Sequence, residues 1–459
     1  MRFDDEILRA VRHQAAYDRE TNKTKEEIDD IVQTIKTAVK NAQYDFTKSN
    51  SIVLNQNGKK RFAKQFEGIY SIESVLCQSI KQILDRVLKV KYPNRNKSTR
   101  TLFSVLTAVK QMSDFTIVRF DFKNYFNSVS AVYVFEKFIK SKLTDRYEID
   151  IINTFAKETK YAYAGFCTSN VIAEIIAKHF DESVKMAFIN KGVLYYERYI
   201  DDAVIIFNEH VDEIDCKDIL EKSLINVFMD ESIDVSPKCK TKFNSNKFNY
   251  ISKRNIGINP VSFDYLGYEF WLSAQSRKTE IKYGITQNKR EKYNKRIDEL
   301  ISYYKDIGHQ DYNDLELLRH RIAAFTSRAV YRSKKYKSDV WRVKGFITNY
   351  GELRFLLDTG LIEANTENFL KSMVSDAFIR ASIPIPYFLM GSQSKSGYNM
   401  YENMKSNKTL LLVEYIGYDY SSLIKLCAPI GISAVDRNGQ RRGYGTLVRE
   451  YLIKVKVGY

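Results

Sequence analysis

The chain has 459 residues, with 72 Lys and Arg against 56 Asp and Glu, for a formal net charge of +16. Its 44% hydrophobic content is ample for large cores and excludes a disordered chain, and no stretch reaches the roughly 20 apolar residues of a membrane span. A basic balance of this size favours a polyphosphate partner or an anionic surface, and its distribution has to decide between them.

Cys77, Cys167, Cys216, Cys239 and Cys427 form no Cys-x-x-Cys pair, and His13, His179, His210, His309 and His320 form no cluster. That spacing excludes a zinc ribbon and a disulfide scaffold, and it suggests no nucleophilic triad or nuclease site. The opening MRFDDEILRA has no apolar targeting run, so the expected compartment is the cytoplasm and no membrane partner is expected. Length predicts two to three domains, and no compositionally biased linker or internal repeat divides the chain.

Taken in order, residues 1–45 read as polar helices, with Ile31, Ile35 and Val39 at four-residue spacing. Lys59, Lys60, Arg61 and Lys64, then Lys89, Lys91, Arg95, Lys97 and Arg100, flank apolar helical stretches. Ile117 to Phe126 then reads as a strand in which Val118, Phe120 and Phe122 share one face and Ile117, Arg119 and Asp121 the other. Asp121 can therefore point into a groove while its neighbours face a core. Gly165 marks a turn, Thr168 or Ser169 a helix N-cap, and Ile172, Ile176 and Phe180 the buried stripe of the helix that follows.

The run Tyr195 to Phe207 (YYERYIDDAVIIF) places Asp201 and Asp202 where β-branched and aromatic strand residues meet. Adjacent carboxylates repel and lose hydration at such a place, and a divalent cation would relieve both. A solvated hairpin turn would also account for a lone Asp-Asp pair. Asp121, far upstream on its own strand, favours the metal: carboxylates from neighbouring strands can hold two Mg²⁺ ions, the arrangement suited to in-line displacement at phosphorus.

Beyond these lie Pro237 to Lys242 (PKCKTK) and Phe263 to Tyr268 (FDYLGY). A basic stretch follows, with Lys289, Arg290, Lys292, Arg296, Arg319, Arg321, Arg328, Arg332, Lys334, Lys335, Lys337, Arg342 and Lys344 interleaved with Tyr293, Tyr303, Tyr304, Tyr331, Tyr336 and Trp341. Such a mixture suits phosphate contact with stacking, although a solvated helix face has the same composition. Leu353 to Leu361 and Thr366 to Arg380 read as helices, Lys408 to Tyr415 as a strand, and Ala434 to Tyr459 as a basic tail.

The order of carboxylate strand, Gly/Ser-capped helix and Tyr-x-Asp-Asp hairpin resembles the palm of bacterial reverse transcriptases. Asp121 to Phe126, Gly165 to Asp181 and Tyr199 to Asp202 match its first three motifs. Pro237 to Lys242 looks like the family's lysine-threonine segment, and Phe263 to Tyr268 like its Phe-x-x-Leu-Gly grip. Tyr163-Ala164-Gly165 stands where the family has Pro-Gln-Gly, and Ser169-Asn170 where it has Ser-Pro. Those departures, with Ala173-Glu174, look most like the defence-associated and abortive-infection group, a type-3 defence system with a second reverse transcriptase being one candidate.

The resemblance implies an α/β (α+β) right-hand polymerase. An N-terminal helical extension would span 1–60, fingers 61–116, a palm 117–272, a basic helical thumb 273–350 and a mainly helical C-terminal extension 351–459. It implies RNA-directed DNA synthesis from deoxynucleoside triphosphates on a dedicated noncoding RNA template, in antiphage defence, with two Mg²⁺ ions for which Mn²⁺ could substitute. Asp121, Asp201, Asp202 and the carbonyl of Phe122 would hold the metals, and Lys240 would act on pyrophosphate unless it is a plain surface lysine. Phe126 would gate the sugar. Gly165, Ser169 and Tyr199, with Arg95 or Arg100, would contact the nucleotide. A second reverse transcriptase or a second copy of the chain is a further expected partner. Two rivals remain, a template-independent or protein-primed terminal transferase on the same fold and a catalytically silent RNA-binding scaffold.

Overall fold

In the computed structural model, residues 2–18, 23–56, 59–275, 278–306, 312–335, 338–390 and 398–456 are described. Tyr336, Lys337, His309 and the last three residues of the basic tail lie outside them, as do the side chains of Lys59, Arg61, Lys334 and Lys335. The fold is mixed α+β with several small sheets, and the chain divides into two units, Met1–Ile256 and Gly257–Tyr459.

The first unit is organised by a four-stranded antiparallel sheet in the order Val193–Tyr199, Asp202–Phe207, Thr116–Asp121, Asn249–Ser252. Every residue of Thr116–Asp121 is buried, including Arg119 at 2% and Asp121 at 4% exposure. Alternate residues point to opposite faces as expected from sequence, yet both faces are buried, so period-two burial is absent from this strand. Helix Ser169–Ala187 covers the apolar face, where Phe180 meets Phe120 and Phe122 at ring separations of 6.2 and 5.2 Å. Phe122 also stacks on Tyr125 at 4.9 Å and on Phe243 at 5.4 Å. These aromatic contacts fix where the strand ends, just past Asp121.

The cap of that helix is Thr168, but its hydroxyl makes no capping bond. The Ser169 hydroxyl instead donates to the Tyr163 carbonyl, so the expected N-cap chemistry is replaced by a tie back to the preceding loop. Elsewhere the helix starts follow the rules. Thr24 and Glu27 form a capping box before Lys25–Lys40, Ser71 caps Ile72–Leu88 and Asn94 caps Arg95–Val109. The strands Asn50–Gln56 and Lys59–Gln65 pair as a hairpin, so the helical N-terminal segment stops short of residue 50. Arg86 joins three helices by donating to Glu6 at 3.0 Å and to Glu148 at 2.7 Å, both carboxylates being almost fully buried.

The second unit holds a meander of Val261–Tyr265, Tyr268–Gln275 and Lys278–Ile285. Its first turn has positive φ at Leu266 (53°) and Gly267 (84°), the conformation of a tight hairpin that matches strand twist. Helices Gln287–Asp306, Tyr312–Phe325 and Ala364–Ala381 follow the meander or its successors. Arg328–Lys335 and Ser338–Lys344 form an antiparallel hairpin, where the basic stretch was expected to be helical. Ala329 and Tyr331 fall on one face of the strand, and Val330 shares the other with Arg328 and Arg332. Thr409–Leu412 pairs in parallel with Arg328–Tyr331 and satisfies that strand's second backbone edge. Leu353 to Leu361 gives only a short turn over Gly351–Phe355, and the helix after it is Ala364–Ala381.

Leu412, Leu423, Cys427, Leu447, Val448, Tyr451 and Val455 form one core with Ala324. His320 lies under it, within 3.0 Å of the Tyr451 hydroxyl. Burial, reinforced by Arg319, lowers its pKa to about 4 from 6.5. The folded state therefore binds fewer protons there than the unfolded chain between those values, and its contribution is complete above about pH 6.5. Stability should fall as pH drops from about 6.5 toward 4. Urea unfolding across that window should show a flatter pH dependence in His320→Gln than in the wild type.

Candidate functional site

The edge of the first unit's sheet is where the sequence motifs meet. Asp121 stands directly opposite Asp202, and Tyr199 opposite Asp202 on its other side. In antiparallel pairs, directly opposite residues share a sheet face, so Tyr199, Asp202 and Asp121 line one face. Ile200 and Asp201 make the turn between the two strands, and the Phe122 amide donates to the Asp201 carbonyl at 3.0 Å. Asp121 is thus brought from a distant part of the sequence to the adjacent pair Asp201 and Asp202, with Phe122 beside them.

Burial of these carboxylates is balanced by cations. The Lys247 ammonium lies 2.6 Å from Asp121 Oδ2, and Asn244 donates to Asp121 Oδ1 at 3.3 Å. Arg119 Nε sits 3.0 Å from Asp202 Oδ1 as an ion pair, without the alignment of a hydrogen bond. Its guanidinium also donates to the Lys247 carbonyl at 2.9 Å. Among the described residues no group of three His, Cys, Asp or Glu side chains forms a metal cage. Mg²⁺ characteristically keeps several waters and takes only one or two carboxylates, so the all-oxygen donors Asp121, Asp202, Asp201 and the Phe122 carbonyl suit that ion once Lys247 yields.

Arg198 is the residue that sequence inspection missed. Its guanidinium is 3% exposed and donates to both oxygens of Glu174, at 3.1 and 2.8 Å, and both of Asp181, at 2.9 and 3.0 Å. It also donates to the Ile200 carbonyl at 2.7 Å. Burial opposes its charge, but Asp181 and Glu174 outweigh that effect and raise its pKa well above the usual value. Tyr196 adds a 2.6 Å bond to Asp181. Ile200 has φ +61°, a left-handed conformation costly for a β-branched residue, and the Arg198 bond helps hold the turn in it. The one sequence signal was the spacing of Glu174 and Asp181, two turns apart on the helix face.

The other expected residues scatter around this edge. Gly165 has φ +105°, and a Cβ there would sit 2.3 Å from the Lys64 carbonyl. The Lys64 amide donates to the Ala164 carbonyl at 2.7 Å, so the hairpin Lys59–Gln65 rests on backbone that only glycine can present. Phe126 is half-buried with its ring 5.8 Å from Tyr125, and the neighbouring Asn127 accepts from the Ala164 amide at 3.3 Å. Arg95 and Arg100 are carried by a helix that docks on Val193–Tyr199: Ser98 donates to Glu197 at 2.8 Å, and Tyr195 donates to the Ser98 carbonyl at 2.9 Å. Lys240 makes no ion pair with the three aspartates; its ammonium lies 5.4 Å from the Tyr161 ring centroid. Burial pushes the Cys167 thiol up to about 12, so it stays protonated and is no nucleophile.

No family model matches the chain, and no curated protein matches it.

Two outcomes test this architecture. Arg198→Met leaves the buried Glu174 carboxylate without its cation and Asp181 with the Tyr196 hydroxyl alone of these partners, and chemical denaturation should show a loss of about 3 to 5 kcal/mol; Arg198→Lys should recover little of it, having no planar fork. Gly165→Ala should cost on the order of 3 kcal/mol through the Lys64 collision and the positive φ, read as a drop in melting temperature.

Proposed function

We propose that the chain is an RNA-directed DNA polymerase of bacterial antiphage defence. In this reading the first unit supplies fingers and palm, and the second supplies the grip turn, a basic thumb and the C-terminal extension. The observation that carries it is the in-register placement of Asp121 and Asp202 on one sheet face with Asp201 in the adjoining turn. Nucleotidyl transfer requires hard oxygen donors of this kind at the end of rigid elements, because displacement at phosphorus needs metal-borne charge in a fixed position.

Asp121, Asp201 and Asp202 with the Phe122 carbonyl would hold Mg²⁺, or Mn²⁺ in its place, and the metal when bound would activate a primer hydroxyl and neutralise triphosphate charge. The chain's residues do the positioning. Arg198 locks the turn that carries Asp201, Phe122 anchors the strand end in the aromatic core, and Gly165 seats the Lys59–Gln65 hairpin. On this reading Tyr199, Phe126 and Ser169, with Arg95 or Arg100, would contact the deoxynucleotide. The template would be a noncoding RNA, and the formal charge of +16 supports a nucleic-acid partner.

Protein purified with its RNA and supplied with deoxynucleotides and Mg²⁺ should incorporate label. Asp201→Ala with Asp202→Ala should reduce incorporation by about 100-fold or more. Incorporation that survives nuclease removal of the RNA would instead mark a terminal transferase. One observation favours a second, catalytically silent reading: Lys247 already neutralises Asp121. Under the polymerase reading Lys247→Ala should lower the Mg²⁺ concentration needed for half-maximal incorporation, whereas a silent scaffold would show no incorporation at any Mg²⁺ concentration.

A further inference from the structure

The segment after the cis peptide at Pro237 alternates in burial: Cys239 and Thr241 are 7% and 0% exposed, whereas Lys238, Lys240 and Lys242 are exposed. Thr241 and Cys239 are tied inward, the Thr241 hydroxyl lying 3.1 Å from Ser128 Oγ and the Cys239 sulfur accepting from the Ser130 amide. Asn244, the next residue on the lysine side, reaches Asp121 with both its amide groups: the backbone N–H donates to the Asp121 carbonyl at 2.8 Å, the side chain to the carboxylate at 3.3 Å. The three lysines therefore project on the same side as the Asp121 carboxylate and lead away from it.

Lys123 adds a fourth cation. Its amide donates to the Lys242 carbonyl at 2.8 Å beside the bridge of Phe122 to Phe243, which sets Lys123 opposite Lys242, both exposed. Like charges placed opposite each other destabilise the pairing. Among the described residues none of these four lysines makes an ion pair with a carboxylate, and the Lys240 ammonium lies 5.4 Å from the Tyr161 ring centroid. Tyr161 meets Tyr163 at a ring separation of 5.9 Å, and Lys64 lies 4.5 Å over Tyr163. These cation–π contacts orient the Lys240 and Lys64 ammoniums, and an exposed row of cations at strand spacing can follow the phosphates of a single strand.

We propose that Lys123, Lys238, Lys240 and Lys242 form a track for the phosphate backbone of a single nucleic-acid strand whose end lies at Asp121. An extended segment spans about 13 Å from Lys238 to Lys242, with about 6.7 Å between successive lysines. That reach exceeds a triphosphate and suits several linked nucleotides. The track deepens the polymerase reading and rests on it only for what happens at the strand's end.

The test uses the full chain and a labelled single-stranded oligonucleotide, with no deoxynucleotides, titrated at several salt concentrations. Single-strand contacts give a slope of log affinity against log salt of about 0.7 per phosphate neutralised. Replacing Lys123, Lys238 and Lys242 together by Gln should flatten that slope by about 2, and Lys238→Gln or Lys242→Gln alone by about 0.7, which covers a triple variant that fails to fold. Lys25, Lys40 and Lys48, exposed on the N-terminal segment, replaced by Gln as a matched charge control, should leave the slope unchanged. An unchanged slope in the track variants, or an equal change in the control, overturns the proposal. So does a deoxynucleoside triphosphate that competes the oligonucleotide off the wild type as an equal occupant of the lysines. Asp201→Ala should abolish incorporation and leave the slope intact, so failure of the polymerase reading and failure of the track give different results.

Discussion

Burying like charges at the end of a sheet is the constraint on which the rest of the first unit depends. Asp121 and Asp202 lie opposite each other on one face, and in a partly dehydrated place such a pair is unstable without counter-charge. Lys247 and Arg119 provide it here. They come from segments far apart in the chain: Arg119 sits two residues before Asp121 on its strand, and Lys247 enters from the turn before Asn249–Ser252. Lys247 is the more exposed of the two cations and Arg119 the buried one.

The turn bearing Asp201 is held from beneath the sheet. Arg198 faces the helix, opposite in direction to its strand neighbour Tyr199, and converts two helix carboxylates into a clamp on the Ile200 carbonyl. A left-handed isoleucine persists only where surroundings over-determine it. The Arg198 cluster and the aromatic packing of Phe122 do so from two sides, and this gives the acidic edge a rigid base.

Much of this edge was legible in sequence. The strand of Asp121 and the hairpin of Tyr199 to Asp202 stand out because alternation at period two interrupted by carboxylates is rare. Gly165 was legible as a turn, although not the reason for it, which is the backbone of Lys64 pressed against its Cα. The basic stretch after residue 289 was legible as basic but not as strands: Arg328 to Lys335 has too few apolar residues to betray its pairing, and its partner Thr409–Leu412 is distant in sequence. Thr168 was legible as the helix cap, but not that its hydroxyl makes no capping bond or that the Ser169 hydroxyl ties back to the Tyr163 carbonyl. Arg198 was invisible for a similar reason, since an arginine within a strand of polar and aromatic residues looks solvated until the helix beneath it is placed.

The amino-acid order by itself determined which residues could bear metal chemistry, where strands and helices alternate, and that the surface field is strongly positive, because these follow from side-chain type and local periodicity. Only the tertiary structure decided that Asp121 pairs in register with Asp202, that Lys247, Arg119 and Arg198 neutralise the carboxylates around them, and that the lysines of residues 238–242 point the same way as Asp121. Register and charge compensation arise between segments far apart in the chain, and the energy of a buried charge depends on which partner reaches it, a quantity no local pattern contains.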